Sequence, residues 1–211
     1  MSSPLDARQR SGETKRQRTR GALITAAKGH FAARGWQATR VEDIARDAGV
    51  SVATAFNHFN KQALLGHVYA PLFEPLLAGA TADIEHETDP TEALTRHVRE
   101  FAAICRKHQT LTVALLAAVL EQTVSVSGPS AIGDESDVRN IVPLPKPMID
   151  LIAYGQRAHR FRSYPSSSDA GVYHTNALVL RVMTRPKESA STTATLVLSQ
   201  MLPALLTDSA Q

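Results

Sequence analysis

The stretch from Thr39 to Phe59 constrains the chain most. Val41, Ile44, Ala45 and Ala48 fall at spacings of three and four, which puts them on one face of a helix. Gly49 then supplies the residue type that ends helices in a left-handed turn, and Ser51 offers a side-chain acceptor for the free N–H groups of a new helix running to about Phe59. Thr39 and Glu42 match a T-x-x-E capping box at the start of the first of these helices. Upstream, Leu23, Ala26, Ala27 and Phe31 mark a helix over about 15–34, closed by Gly35. Asn60 can cap a fourth helix whose apolar face begins at Ala63, Leu64 and Leu65. Neither short helix can bury its face without the longer one, so the expectation is a tri-helical unit over 14–60 behind a flexible arm, 1–13.

The remainder also reads as helix. Pro71 and Pro75 are expected to interrupt or kink the helix after Leu64. Asp89 and Pro90 fit the N-cap and first position of another, with a stripe of Leu94, Val98, Phe101 and Cys105. Leu111–Val124 is apolar enough to be a buried helix, and 125–147 is rich in Ser, Gly, Pro and Asp, so it reads as a long loop able to cover a pocket entrance. Further helices are expected near 147–162, 167–184 and 188–207. No segment shows strand alternation, and the fold class is all-α.

At 211 residues and 43% apolar the chain can bury a sizeable core. No apolar run approaches the ~20 residues that span a bilayer, and the polar N-terminus has no apolar segment of a secretory signal. A single cysteine, Cys105, excludes an intrachain disulfide. These features suit the cytoplasm. Charge is uneven: residues 1–67 hold 11 Lys and Arg against 5 Asp and Glu, and residues 68–211 hold 12 against 15. A basic head on a mildly acidic body fits either a polyanion partner or a solvated tail.

The motif decides between them. Thr39/Glu42, Ala48-Gly49-Val50-Ser51, Thr54-Ala55-Phe56-Asn57-His58-Phe59 and Lys61 together resemble the signature of the TetR family of transcriptional regulators, and Ala26–Trp36 with Phe31 and Gly35 fits upstream. The resemblance implies a helix-turn-helix domain that reads double-stranded DNA, followed over 61–211 by an all-α domain that binds a ligand and dimerises through its last two long helices. For that bundle the apolar positions are Ala177, Leu178, Leu180 and Val182, then Ala190, Ala194, Leu198, Met201, Leu202 and Leu205. It also implies a homodimer on a palindromic operator and repression relieved by a small effector.

The residues carry this chemistry in their own right. Val52 and Ala53 can meet a thymine methyl, and Asn57 can bond to adenine. Thr54 and His58, four apart, share a face. The family places Thr54, Phe56, His58 and Lys61 on the DNA backbone, and Arg20, Thr39, Arg40, Ser51 and the Lys15–Arg20 cluster can add contacts there. Phe56 stands where the family usually has Tyr, which removes one phosphate hydrogen bond. The turn Phe59-Asn60-Lys61 is one residue shorter than the common form, which puts the direction of Lys61 in question.

Beyond the motif, Phe101, Cys105, His108, Leu116, Ala117, Leu120, Ile152 and Tyr154 are the expected lining of an apolar effector pocket, although such stripes also make plain core. His97, Cys105 and His108 could share a face, yet Cys105 continues an apolar stripe, which favours burial over a metal site. No nucleophile elbow, phosphate loop or H-E-x-x-H is present, so neither catalysis nor a cofactor is expected.

Overall fold

The computed structural model describes residues 4–125 and 134–207. Among them the elements run α1 (Pro4–Arg34), α2 (Val41–Asp47), α3 (Val52–His58), α4 (Lys61–Glu85), α5 (Pro90–Lys107), α6 (Gln109–Ser125), α7 (Val138–Ile141), α8 (Lys146–Arg157), α9 (Ser167–Thr184) and α10 (Ala190–Leu205). An isolated antiparallel bridge joins Phe161 to Leu206. The core is continuous from Leu23 in α1 to Leu205 in α10.

The head is α1–α3. Leu23, Ala27, Phe31, Ile44 and Ala45 are fully buried and supply its core, with Ala55 and Phe59 closing it from below. Gly35 and Gly49 take φ of 68° and 70°, the left-handed conformation that glycine adopts without a Cβ penalty. Ser51 Oγ accepts from Thr54 N at 3.0 Å, and Asn60 Oδ1 accepts from Ala63 N at 2.6 Å, as their cap positions require.

Four expectations change. α1 reaches back to Pro4, so residues 4–13 are helix where a flexible arm was expected; Pro4 suits a first turn, and Ala, Arg, Gln, Glu and Lys that follow are good helix formers despite their polarity. The Thr39–Glu42 capping box does not form. Arg40 is the N-cap of α2 without a side-chain bond, because Thr39 is buried and its hydroxyl donates to Gly35 O at 2.7 Å. α4 runs unbroken through Pro71 and Pro75. Val68, Tyr69, Phe73 and Leu76 are buried around these prolines, and that packing outweighs the lost backbone bonds. α6 buries only one face: Leu111, Ala114, Leu115 and Ala118 are in the core, while Leu120 and Val124 are 52% and 84% exposed.

α4 joins head to body, packing on α1 and on α5, α6, α7 and α8. α5 packs mainly on α10, and α8 on α9. The α8–α9 crossing is close enough that a Cβ at Gly171 would lie 2.9 Å from the backbone nitrogen of Ile149. The expected 125–147 loop contains α7, and residues 126–133 lie outside the described residues.

Candidate nucleic-acid interface

α3 presents an exposed, short-chained face. Val52 and Phe56 are 40% and 53% exposed, and Ala53 and Asn57 are exposed beside them. This is the surface a helix needs to enter a major groove: small apolar groups, and one amide able to donate and accept. Ser51 and Thr54 sit at its start with their hydroxyls paired at 2.7 Å.

Charge is sorted around this face. Two carboxylates of the head are paired: Asp47 meets His30 at 2.7 Å, and Asp43 meets Arg46 at 3.1 Å and Arg34 at 3.4 Å. Lys15, Arg16, Arg18 and Arg40 form no ion pair among the described residues and are exposed. Lys15 and Arg18 border an open groove against Ala48 and Val50, before α3 begins. Arg16 borders a second cleft of about 360 Å³ with Asn57 and His58, where α3 ends. α1 therefore flanks the recognition face at both ends with cations.

Three residues expected on DNA are committed elsewhere. Thr39 is buried, as above. The Arg20 guanidinium lies 4.2 Å from the centre of the Phe59 ring, donates to His58 O at 3.4 Å and sits 3.4 Å from His67 Nε2. It braces the turn between α3 and α4. Lys61 donates to Trp36 O at 2.7 Å, with its ammonium 4.2 Å from the Trp36 ring centre. The shortened turn points it inward, where burial lowers its pKa against the pull of Glu121 and Glu42. Trp36 in turn donates from Nε1 to Glu121 Oε2 at 2.7 Å, tying the head to α6. Sequence reasoning missed this hub because its partners lie far apart in the chain.

His58 is half-buried with Nδ1 unpartnered, and burial together with Arg16 and Arg20 lowers its pKa. His67 is lowered by burial and Arg20.

In the body the expected effector residues do not gather around one opening. Phe101, Cys105 and Ile152 have no exposure at all. Leu116, Ala117, His108 and Tyr154 are partly covered, with Tyr154 donating to Thr88 O at 3.0 Å, and Leu120 is on the surface. Cys105 lies under the Tyr69 hydroxyl, which pairs with Thr112 Oγ1 at 2.9 Å, and burial pushes the thiol up to about 12. Among the described residues no three His, Cys, Asp or Glu converge to hold a metal.

His97 is buried with Nε2 unpartnered, and burial lowers its pKa to about 4 despite Asp83. Between pH 6.5 and about 4 the unfolded chain takes up a proton that the folded one refuses, so stability falls as pH falls through that window. The loss is about 3 kcal/mol at 1.36 kcal/mol per unit. Denaturant midpoints across that range should show His97→Phe losing about that much less than wild type; equal losses would refute the assignment.

Residues 23–68 match the family model of bacterial regulatory proteins, tetR family. Comparison with curated proteins gives no match. Among solved structures, FadR of Thermus thermophilus, a TetR-family transcriptional repressor in complex with lauroyl-CoA, superposes with a TM-score of 0.68 at 21% identity, over 89% of this chain and 95% of its own. RolR in complex with resorcinol gives 0.66 at 19%, over 94% and 92%. The ketosteroid transcriptional regulator KstR2 of Mycobacterium tuberculosis gives 0.59 at 19%, over 90% and 95%. At these identities the likeness establishes the fold.

Proposed function

We propose, on the premise that this chain is a TetR-family DNA-binding regulator by its matched N-terminal domain, that it is a repressor working as a homodimer on a palindromic operator. Residues 14–60 form the reading head, extended by the helical residues before them, and 61–211 the effector and dimer domain. The observation that carries the reading is the exposed face of Val52, Ala53, Phe56 and Asn57, flanked by exposed cations that form no ion pair among the described residues. Asn57→Ala is expected to relax preference at one base position per half-site, at a cost of about 1–3 kcal/mol. His58→Ala is expected to weaken all sequences alike, since phosphate carries no sequence. Binding selections with each variant test this, and a uniform loss from Asn57→Ala would overturn the division.

The stripe read in sequence divides between two sides of α9 and α10: Ala177 and Leu180 are exposed on the outer side. Leu178, Val182, Ala194, Leu198, Met201 and Leu205 are buried in their own protomer. The opposite side of α9 and α10 stays open, with Tyr173, Leu180 and Leu196 at 69%, 52% and 39% exposure around a cleft of about 340 Å³. Two such faces can close on each other as a four-helix bundle, and the dimer then spaces two heads for two half-sites.

The effector is a small, mostly apolar molecule taken up within α5–α9. Resorcinol on RolR is a small uncharged molecule, while lauroyl-CoA on FadR joins an apolar acyl chain to a charged CoA. The core here is apolar around a few polar atoms, His97 Nε2 among them, and an isolated charge placed there would be costly. An effector releases DNA only in so far as it prefers the arrangement that cannot span both half-sites. Titrating the protein–DNA complex with apolar, cationic and anionic compounds is expected to give release by apolar ones, abolished by Ala117→Trp. Release only by multiply charged compounds or metal ions would overturn this. No helix among the described residues is long and apolar enough to cross a membrane, and the reading as a DNA-binding regulator goes with a cytoplasmic location.

A further inference from the structure

The cleft at the end of α3 is built from two distant parts of the chain. Arg16, Arg20, Asn57 and His58 come from the head; Glu135 and Ser136 come from the connection between α6 and α8. Asn60 links the two. Its Oδ1 caps α4, while its Nδ2 donates to Ser136 O at 3.1 Å. Behind the cleft, Asp137 accepts from Arg139 N at 2.8 Å and from the Arg139 guanidinium at 2.6 Å. Ile141 packs so closely on α4 that a Cβ at Gly66 would lie 3.0–3.1 Å from three of its carbons. Segment 134–141 is thus fastened to α4 at Asn60 and at Gly66, and it places the exposed Glu135 in the lining of the same cleft as Arg16 and Arg20. Burial and Arg20 lower the pKa of His67 in this cleft, and the charge of Glu135 acts the other way.

We propose that residues 134–137 are an acidic brake on the reading head: Glu135 supplies, in the cleft it shares with Arg16, the negative charge that a DNA phosphate would otherwise bring, and the Asn60–Ser136 bond keeps it there. The proposal rests on α3 meeting DNA, and it names the regulation of that site. A duplex and the Glu135 carboxylate then compete for Arg16, so phosphate binds best when the segment yields. DNA selects the state with the segment displaced in proportion to that difference in affinity. The effector domain thereby has a direct output to the head that does not pass through the dimer interface.

Because phosphate carries no sequence, the probe is a 30-base-pair duplex of random sequence, followed by fluorescence anisotropy at low salt. Glu135→Gln is expected to tighten binding by up to about fivefold, the range for one exposed charge interaction, with the gain shrinking as salt rises. Asn60→Ser keeps a helix cap but cannot reach Ser136 O, and is expected to give a similar gain. The double variant should gain no more than the better single one, since both release one brake. Amide exchange over 134–141 should speed up when the wild type binds the duplex. Unchanged affinity in Glu135→Gln, or exchange over 134–141 that does not change on binding, would overturn the brake. Failure to find any preferred palindrome would instead overturn the operator reading and leave these measurements standing.

Discussion

Arg106→Ala is expected to destabilise the protein by about 3 kcal/mol, lowering Tm by about 6–12 °C for a chain of this size. Arg106 is on α5 with only 9% of its side chain exposed. Its guanidinium donates to Arg185 O at 2.7 Å, to Val182 O at 3.3 Å and to Thr193 Oγ1 at 3.0 Å. Those two carbonyls are at the end of α9, where the helix leaves acceptors without backbone partners and where its dipole favours a cation. Thr193 belongs to the first turns of α10. One side chain therefore fixes the α9–α10 corner onto α5, and its removal leaves Val182 O and the hydroxyl of the buried Thr193 without this donor. Arg106→Lys retains the charge but not the fork, so it should recover only part of the loss. Chemical denaturation of the three proteins measures this; a loss below about 1 kcal/mol for Arg106→Ala would show that solvent replaces the clamp. Since α9 and α10 carry the proposed dimer face, the same variant should also weaken dimerisation.

What the sequence reveals of this architecture follows from the range of the interactions involved. The turn glycines Gly35 and Gly49 and the caps Ser51, Asn60 and Asp89 are local devices, acting within a few residues, and each sits where its residue type predicts. Apolar spacing likewise finds the helices, because period is a local property. Direction is not. The stripe of Leu178 and Val182 is real, yet period alone cannot tell whether it meets its own chain or a second copy, and here it meets its own. Thr39 satisfies the capping pattern, but its hydroxyl has a nearer acceptor in Gly35 O that becomes available only once the turn exists. Arg20 and Lys61 carry the right charge for DNA, and it is the aromatic rings of Phe59 and Trp36 that decide where their cations rest. The Asn60–Ser136 bond spans 76 residues and leaves no local trace.

Operator affinity is expected to fall about 10⁴-fold between 50 and 200 mM salt. Lys15, Arg16, Arg18 and Arg40 are exposed and form no ion pair among the described residues, so each is available to a phosphate. In a dimer they amount to roughly eight phosphate contacts, which sets a slope of log affinity against log salt of about −7. Arg20 and Lys61 are excluded from the count because their cations are held over Phe59 and Trp36. That exclusion makes the expectation specific. Replacing Lys15 and Arg18 together with Gln removes two cations from each head, and the slope should become shallower by about 4. Lys61→Gln should lower affinity by loosening the contact between Trp36 and α4 while leaving the slope where it was. Binding isotherms at several salt concentrations separate the two effects, since a lost phosphate contact changes the slope and a loosened fold changes only the intercept. A slope near zero would show that the cationic flank of α1 does not meet DNA. An equal change from Lys61→Gln and from the Lys15 and Arg18 pair would show that Lys61 leaves Trp36 and turns outward when the duplex arrives.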